Sequence, residues 1–287
     1  MGANREFKST VFSLLFSEPD ILRELYGALK GFTLPPDTPV VVNTLEGALF
    51  RNMLNDVSFE IGGKEVVVIE HQSSVNPNMP LRILMYIARL YEKMTAGRKA
   101  FGGKQVKIPR PEFIVLYNGV APYPEEDILR LSDAFEDASS PGTGRDAPPE
   151  LELVVKVYNI NRGHNAGKLR QSRTLEGYSE FIGKVREMER PGEELTGAIK
   201  KAMEWCISQN ILKDFFERNG SEVINMLFNE FNMEAELAAE WEAGLEKGME
   251  EGLEKTARNA LAEGLPMEVI RKITGLDLET ISQLSSQ

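Results

Sequence analysis

Two carboxylates and an amide lie at the outer ends of a predicted β-hairpin in the stretch DVSFEIGGKEVVVIEHQ. Asp56 begins its first arm, Glu70 and Gln72 end its second arm, and Gly62-Gly63 supplies the turn. Residues two apart on a strand share a face, so Glu70 and Gln72 point the same way. Carboxylates on neighbouring strands can bind Mg²⁺, which lowers the pKa of a bound water and neutralises charge on a phosphodiester. The pattern therefore indicates metal-dependent hydrolysis of a nucleic-acid backbone.

The length of the turn decides whether the two carboxylates can meet. A two-residue loop pairs Asp56 with Ile69 and turns Glu70 to the opposite face, because a one-residue slip reverses every side chain. A three-residue loop, 62–64, pairs Asp56 with Glu70. The metal site requires the three-residue loop, and the alternative interpretation is that these polar residues are the solvated ends of a hairpin.

Composition limits the classes of function. The chain has 287 residues, a formal net charge of −11 and 42% hydrophobic residues. This length suffices for a full core, and the negative charge argues against a surface that binds nucleic acid over its whole extent. Basic residues are concentrated at 98–111 and 153–175, where they either attract phosphates or form ordinary solvated loops.

The sequence also carries signals of cellular location. The single cysteine, Cys206, excludes an internal disulfide, fits a reducing compartment and is expected to be a buried structural thiol. The first residues, MGANREFKST, lack the apolar run of a signal peptide. No window reaches the ~20 apolar residues of a membrane span. We therefore expect a cytoplasmic protein with no membrane partner.

Hydrophobic periodicity predicts an α/β protein whose last third is helical. Helices are expected at 7–30 with a break near Pro19, at 80–94, at 125–135 and from 175 through 231, and strands at 113–117 and 151–160. The helix at 80–94 has Leu81, Leu84, Met85 and Ala88 on one side, and Arg82, Tyr86, Arg89 and Lys93 form a second stripe. This second stripe either contacts phosphates or is a solvated face.

Three segments together resemble the recombination-promoting nuclease / putative transposase family, which belongs to the PD-(D/E)XK nuclease superfamily. They are DVSFEIGGKEVVVIEHQSSVNPNMPLR, PEFIVLYNG and LRLSDAF, and the resemblance covers about residues 5 to 235. It implies a restriction-endonuclease-like mixed central sheet flanked by helices, with an all-helical C-terminal extension. It also implies a metal-dependent DNA endonuclease that uses Mg²⁺ or another divalent cation. The alternative is a catalytically silent nucleic-acid-binding or protein-interaction module that has kept the nuclease fold.

The resemblance assigns roles to individual residues. Asp56 and Glu70 match the two metal ligands, and Gln72 falls where the superfamily usually has lysine. Accessory roles would fall to Glu46, on the segment before the hairpin, and to Arg82 and Tyr86 on the helix that flanks the site. A lysine stabilises negative charge, whereas a glutamine amide orients a water or a phosphate oxygen and cannot act as a base.

The chain is expected to divide into three parts: a nuclease-like core at 1–190, a helical extension packed on it at 191–235, and an acidic helical tail at 236–287. Gly244, Gly248 and Gly252 lie four apart in the tail, which favours close contact with another helix, as in association of two copies, or else marks a charged linker. The segments after Ala257 weakly resemble a helix-turn-helix. Because the tail is acidic, a protein contact is favoured over a DNA contact.

Overall fold

The structure is a computed structural model that describes residues 11–43, 57–74, 76–96, 102–136, 149–189 and 194–285. The chain forms two compact units, Met1–Phe228 and Asn229–Gln287. Over the described ranges, no helix combines the length and the apolar content that crossing a membrane would require.

The first unit contains the sheet and most of the helices. Its strands are β1 (Val40–Val42), β2 (Val57–Ile61), β3 (Glu65–Gln72), β4 (Arg110–Tyr117), β5 (Glu126–Arg130) and β6 (Val154–Asn159). Its helices are α1 (Val11–Leu15), α2 (Pro19–Lys30), α3 (Met79–Met94), α4 (Ala166–Leu169), α5 (Arg173–Met188) and α6 (Leu195–Ser208). A long helix, α7 (Lys213–Ala262), contains both the division between the two units and the boundary predicted at residue 236.

The strands found in the described ranges form one mixed sheet in the order β1-β2-β3-β4-β6-β5. The pairs β3–β4 and β4–β6 are parallel, and the other neighbours are antiparallel. Helices pack on both faces, since Val66 and Val68 of β3 contact α3, whereas His71 meets Tyr178 of α5. The predicted α/β class is therefore confirmed.

The β2–β3 hairpin has the three-residue turn. Ile61 pairs with Glu65 and Val57 pairs with Ile69, which is the register that a three-residue loop predicts. Gly62 and Gly63 adopt φ of 61° and 65°, a region that L side chains rarely enter. Asp56 and Glu46 lie outside the described residues.

The segment 125–135 is not the predicted helix. Glu126–Arg130 is a strand that pairs with β6, and Leu131–Ala134 is a single 3₁₀ turn. Its burial alternates with period two, with Asp127 and Leu129 half-buried. Pairing with β6 thus outweighs the local helical pattern, as is usual for short segments.

The second unit consists of helices in its described part. After α7 come α8 (Met267–Thr274) and α9 (Leu278–Ser285). Ala257, Ile270 and Ile281 form a small core between the three helices. Gly275 ends α8 with a φ of 75°, the left-handed cap that glycine favours.

We expect a chain that ends at Asn232 to remain folded and to keep the chemistry of the intact protein. The sheet and every described residue of the candidate site belong to the first unit. Thermal unfolding by circular dichroism and Mg²⁺-dependent plasmid cleavage would be compared between the truncated and full-length chains. If the tail associates with a second copy, truncation should also shift the protein toward monomer in light scattering. Unfolding, or loss of cleavage in a folded truncated chain, would show that the tail belongs to the core.

Candidate functional site

The candidate site lies at the carboxyl end of β3. Glu70 and Gln72 project from the same face of this strand as Val66 and Val68, toward α3. Only 8% of the Glu70 surface is exposed. On the parallel neighbour β4, Glu70 is opposite Val115 and Gln72 is opposite Tyr117. A buried carboxylate next to apolar residues is costly unless hydrogen bonds or an opposite charge compensate it.

Tyr86 of α3 borders the Glu70 carboxylate. Burial raises the pKa of Tyr86 to about 12; the nearby hydroxyl of Ser58 acts against this shift, and the negative charge of Glu70 adds to it. Tyr86 therefore keeps its proton at neutral pH. Ser58 lies on β2 opposite Val68, on the face that carries Glu70. Ser58 and Tyr86 thus bring two hydroxyls to the face of the sheet that carries Glu70.

The Gln72 side chain has one partner and one unmet acceptor. Its Nε2 donates to Sδ of Met79, the first residue of α3, at 2.8 Å. Its Oε1 is buried and has no hydrogen-bond donor among the described residues. Leaving a buried carbonyl without a donor costs about 1–3 kcal/mol. A cation or a bound water beside Gln72 would remove this cost.

Arg82 is connected to Gln72 through the same sulfur, since its Nη1 lies 3.5 Å from Sδ of Met79. Arg82 is exposed, whereas Tyr86 is buried in the core. The predicted stripe on α3 therefore divides into different environments. Arg89 also faces solvent and forms an exposed ion pair with Glu92 at 2.9 Å, an interaction worth about 0–1 kcal/mol. Of the stripe, Arg82 is the cation linked to the site.

The apolar side predicted for α3 is wrong. Leu81 and Met85 are 38% and 46% exposed, and the helix instead buries Ile83, Tyr86, Ile87 and Leu90. The buried set is displaced by one or two positions along the helix, which rotates it around the helix axis. This rotation brings Tyr86 to Glu70.

Much of the basic stretch at 153–175 is paired with carboxylates. Lys168 binds Glu126 at 2.9 Å, and Arg162 binds Glu180 at 3.0 Å and Glu187 at 3.2 Å. In the described part of 98–111, Lys104, Lys107 and Arg110 are exposed. The stretch at 153–175 is thus less suited to attract phosphates than its composition indicates.

The opposite face of β3 carries a second polar group that the sequence interpretation missed. The His71 ring stacks on Phe12 with centroids 5.1 Å apart, and its Nε2 lies 3.1 Å from the hydroxyl of Tyr178. Burial, together with the charge of Arg186, lowers the pKa of His71 to about 3. His71 is therefore neutral at physiological pH and anchors β3 between the two candidate residues.

Cys206 is buried in α6, as predicted, and burial raises the pKa of its thiol to about 12. A thiol in this state is a poor nucleophile.

The donor set at the end of β3 fits a hard divalent cation. Glu70 contributes a carboxylate and Gln72 an unsatisfied carbonyl oxygen, and oxygen ligands are those that Mg²⁺ takes. Clusters of three or more His, Cys, Asp or Glu side chains that could hold a metal are not found among the described residues. That result does not bear on Asp56, which lies outside them.

We expect Gln72→Lys to keep or raise activity, because lysine adds a charge that stabilises an anionic transition state. Gln72→Ala should lower the rate, since the carbonyl oxygen at this position is removed. Plasmid cleavage rates in Mg²⁺ would be measured for both, with Gln105→Ala, an exposed glutamine, as the matched control. Cleavage by Gln72→Ala at the wild-type rate would exclude a role for the amide in the chemistry.

Comparison of the chain with protein-family models, with curated proteins and with solved structures gave no match.

Proposed function

We propose that the chain is a Mg²⁺-dependent DNA endonuclease with a restriction-endonuclease-like core, of the recombination-promoting nuclease / putative transposase type. The observation that carries the proposal is the β2–β3 register, in which Val57 is opposite Ile69. The proposal requires β2 to continue by one residue, so that Asp56 becomes the cross-strand neighbour of Glu70. The mixed sheet with helices on both faces is compatible with this class of fold.

In this proposal Asp56 and Glu70 hold the cation, and Gln72 Oε1 adds an oxygen to the same place. When bound, Mg²⁺ neutralises charge on the phosphodiester and makes a bound water more acidic. The reaction transfers the elements of water across one P–O bond: the hydroxide oxygen joins phosphorus and a proton goes to the departing oxygen.

The residues around the carboxylates would position and stabilise the reacting groups. Gln72 has no ionisable group, so its amide orients a water or a phosphate oxygen without removing a proton. Tyr86 stays protonated beside Glu70 and offers a hydroxyl donor. Arg82, exposed and next to Met79, is placed to attract a phosphate. The proposed site thus combines Glu70 and Gln72 at the end of β3 with Arg82 and Tyr86 of α3.

The partners and location follow from the same proposal. DNA is the substrate, and two copies would associate through the tail at 236–287. Gly244, Gly248 and Gly252 of α7 have open space where a side chain would project, which permits close approach of another helix. The buried thiol of Cys206, in a chain that has no second cysteine, fits a cytoplasmic enzyme.

A catalytically silent binding module is the second candidate. It is favoured by Gln72, which replaces the usual lysine of the superfamily and uses its amide nitrogen to bond Met79. Such a module would bind nucleic acid or a protein without depending on a divalent cation at Glu70. Metal binding therefore separates the two candidates.

We expect Asp56→Ala and Glu70→Ala each to lower Mg²⁺-dependent plasmid cleavage by at least about 100-fold, since even the loss of a group that only hydrogen-bonds a metal ligand costs about 10–100-fold. Metal binding by calorimetry should weaken in parallel. Glu92→Ala, an exposed glutamate on α3, is the matched control and should behave as wild type. Wild-type cleavage by either site variant would refute the two-carboxylate site, and a folded wild-type protein that neither binds the metal nor cleaves would favour the silent module.

A further inference from the structure

Two apolar stripes on the helices of the second unit face solvent. One is on α7, where Met249 and Leu253 lie one turn apart and Met249 is 63% exposed. The other is on α8, where Val269 and Ile273 have the same spacing and Ile273 is 60% exposed. Neighbouring apolar side chains that face solvent are typical of a surface that contacts another molecule, whereas single ones are ordinary.

The stripe on α7 continues the face of the helix that forms the core of this unit. Met249, Leu253 and Ala257 follow one another at intervals of four residues, so they lie on one side of the helix. Ala257 is buried, and it packs with Ile270 of α8 and Ile281 of α9. The apolar face of α7 thus extends toward the N-terminus beyond the part that α8 and α9 cover.

The stripe on α8 lies beside the face that this helix turns to the core. Ile270 and Thr274 are its buried residues. Val269 and Ile273 each precede one of them by one position, which turns them about 100° away around the helix axis. Because Ile270 packs in the core with Ala257, α8 leaves the α7 stripe of its own chain exposed.

Each stripe has a charged neighbour, and the two charges are opposite. Glu250 borders the stripe on α7 and Lys272 borders the stripe on α8, and both side chains are exposed. Over the described residues neither of them forms an ion pair, although other charges of α7 do, such as Lys247 with Glu251 at 3.9 Å. The α7 stripe therefore presents apolar surface with a carboxylate, and the α8 stripe presents apolar surface with an ammonium group.

A second copy of the chain matches both stripes at once. In a dimer with twofold symmetry both copies use the same surface, so a contact of α8 with α7 of the other copy is accompanied by the reverse contact. This arrangement covers the four stripes of the two copies and brings opposite charges together twice. A different protein would need both kinds of stripe, whereas this chain already carries the two.

We propose that α8 of one copy docks on α7 of a second copy in a reciprocal twofold contact. Val269 and Ile273 lie against the α7 stripe, and Lys272 pairs with Glu250 of the partner subunit. The inference rests on the proposed function in that association of two copies through the tail is part of it, and it names the surfaces that meet. It requires neither the metal nor the cleavage step.

The first test concerns the apolar contact. The molar mass of the full-length protein would be measured by light scattering over a range of protein concentrations, and the wild type is expected to form a dimer. Ile273→Glu should lower the association constant by at least about 10-fold, because it places a charge in an apolar contact. Val120→Glu, at a residue of the first unit that is 85% exposed, is the matched control and should associate as the wild type does.

Two results of this measurement would overturn the proposal. One is a wild type that is monomeric at every concentration, since the stripes would then face something other than a second copy. The other is an Ile273→Glu variant that is folded by circular dichroism and associates as strongly as the wild type.

The second test asks whether Lys272 and Glu250 face each other across the contact. Lys272→Glu and Glu250→Lys each place like charges opposite one another, so each variant alone should associate at least about 10-fold more weakly than the wild type. An equimolar mixture of the two variants should regain the dimer, because each contact between unlike chains again joins a glutamate to a lysine. Lys200→Glu, an exposed lysine of α6, controls for the change in net charge and should associate as the wild type does. Wild-type association of either variant alone, or a mixture that stays monomeric, would overturn the proposed pairing of α8 with α7.

Plasmid cleavage by the same preparations separates the two proposals. If Asp56→Ala abolishes Mg²⁺-dependent cleavage but the wild type is a monomer, the nuclease stands and the docking inference fails. If the wild type is a dimer that Ile273→Glu and the charge variants dissociate, but it shows no cleavage, the docking inference stands and the nuclease fails.

Discussion

The pairing of Ile61 with Glu65 fixes which side chains of β2 and β3 share a face, and the proposed site depends on it. A slip of one residue would turn Glu70 toward the other layer of helices. The turn that prevents this slip uses positive φ at both Gly62 and Gly63, where a side chain would be strained. These two glycines therefore set the register that decides which residues of β2 lie beside Glu70 at the far end of the hairpin.

β3 is held from both sides, which makes it a rigid support. On one face Val66 and Val68 pack on α3, and on the other His71 contacts Phe12 and Tyr178. Sites built on such packed strands hold their side chains more accurately than sites on loops. The polar residues Glu70 and Gln72 therefore project from a strand whose position is fixed by packing on both faces.

Local signals in the sequence sufficed for the hairpin, for α3 and for the α/β class. Glycines in the turn and β-branched residues in β3 act over short distances, and both features were predictable. The helix expected at 125–135 is wrong, because pairing with β6 is a long-range interaction that local periodicity does not report. The buried face of α3 was also misassigned, since four-residue spacing fits more than one stripe of an apolar helix. His71 was missed because its partners Phe12 and Tyr178 are distant in the sequence.

The parallel pairing of β3 with β4 has a consequence for the order in which the molecule assembles. β2 and β3 are joined by a short turn, so their hairpin can close early, whereas β4 reaches β3 only after the intervening chain with α3 has folded over the sheet. During synthesis the strand that carries Glu70 is therefore made well before the elements that enclose it. Until β4 has been synthesised, the edge of β3 opposite β2 has no strand to pair with, so the surroundings of Glu70 are incomplete in an unfinished chain.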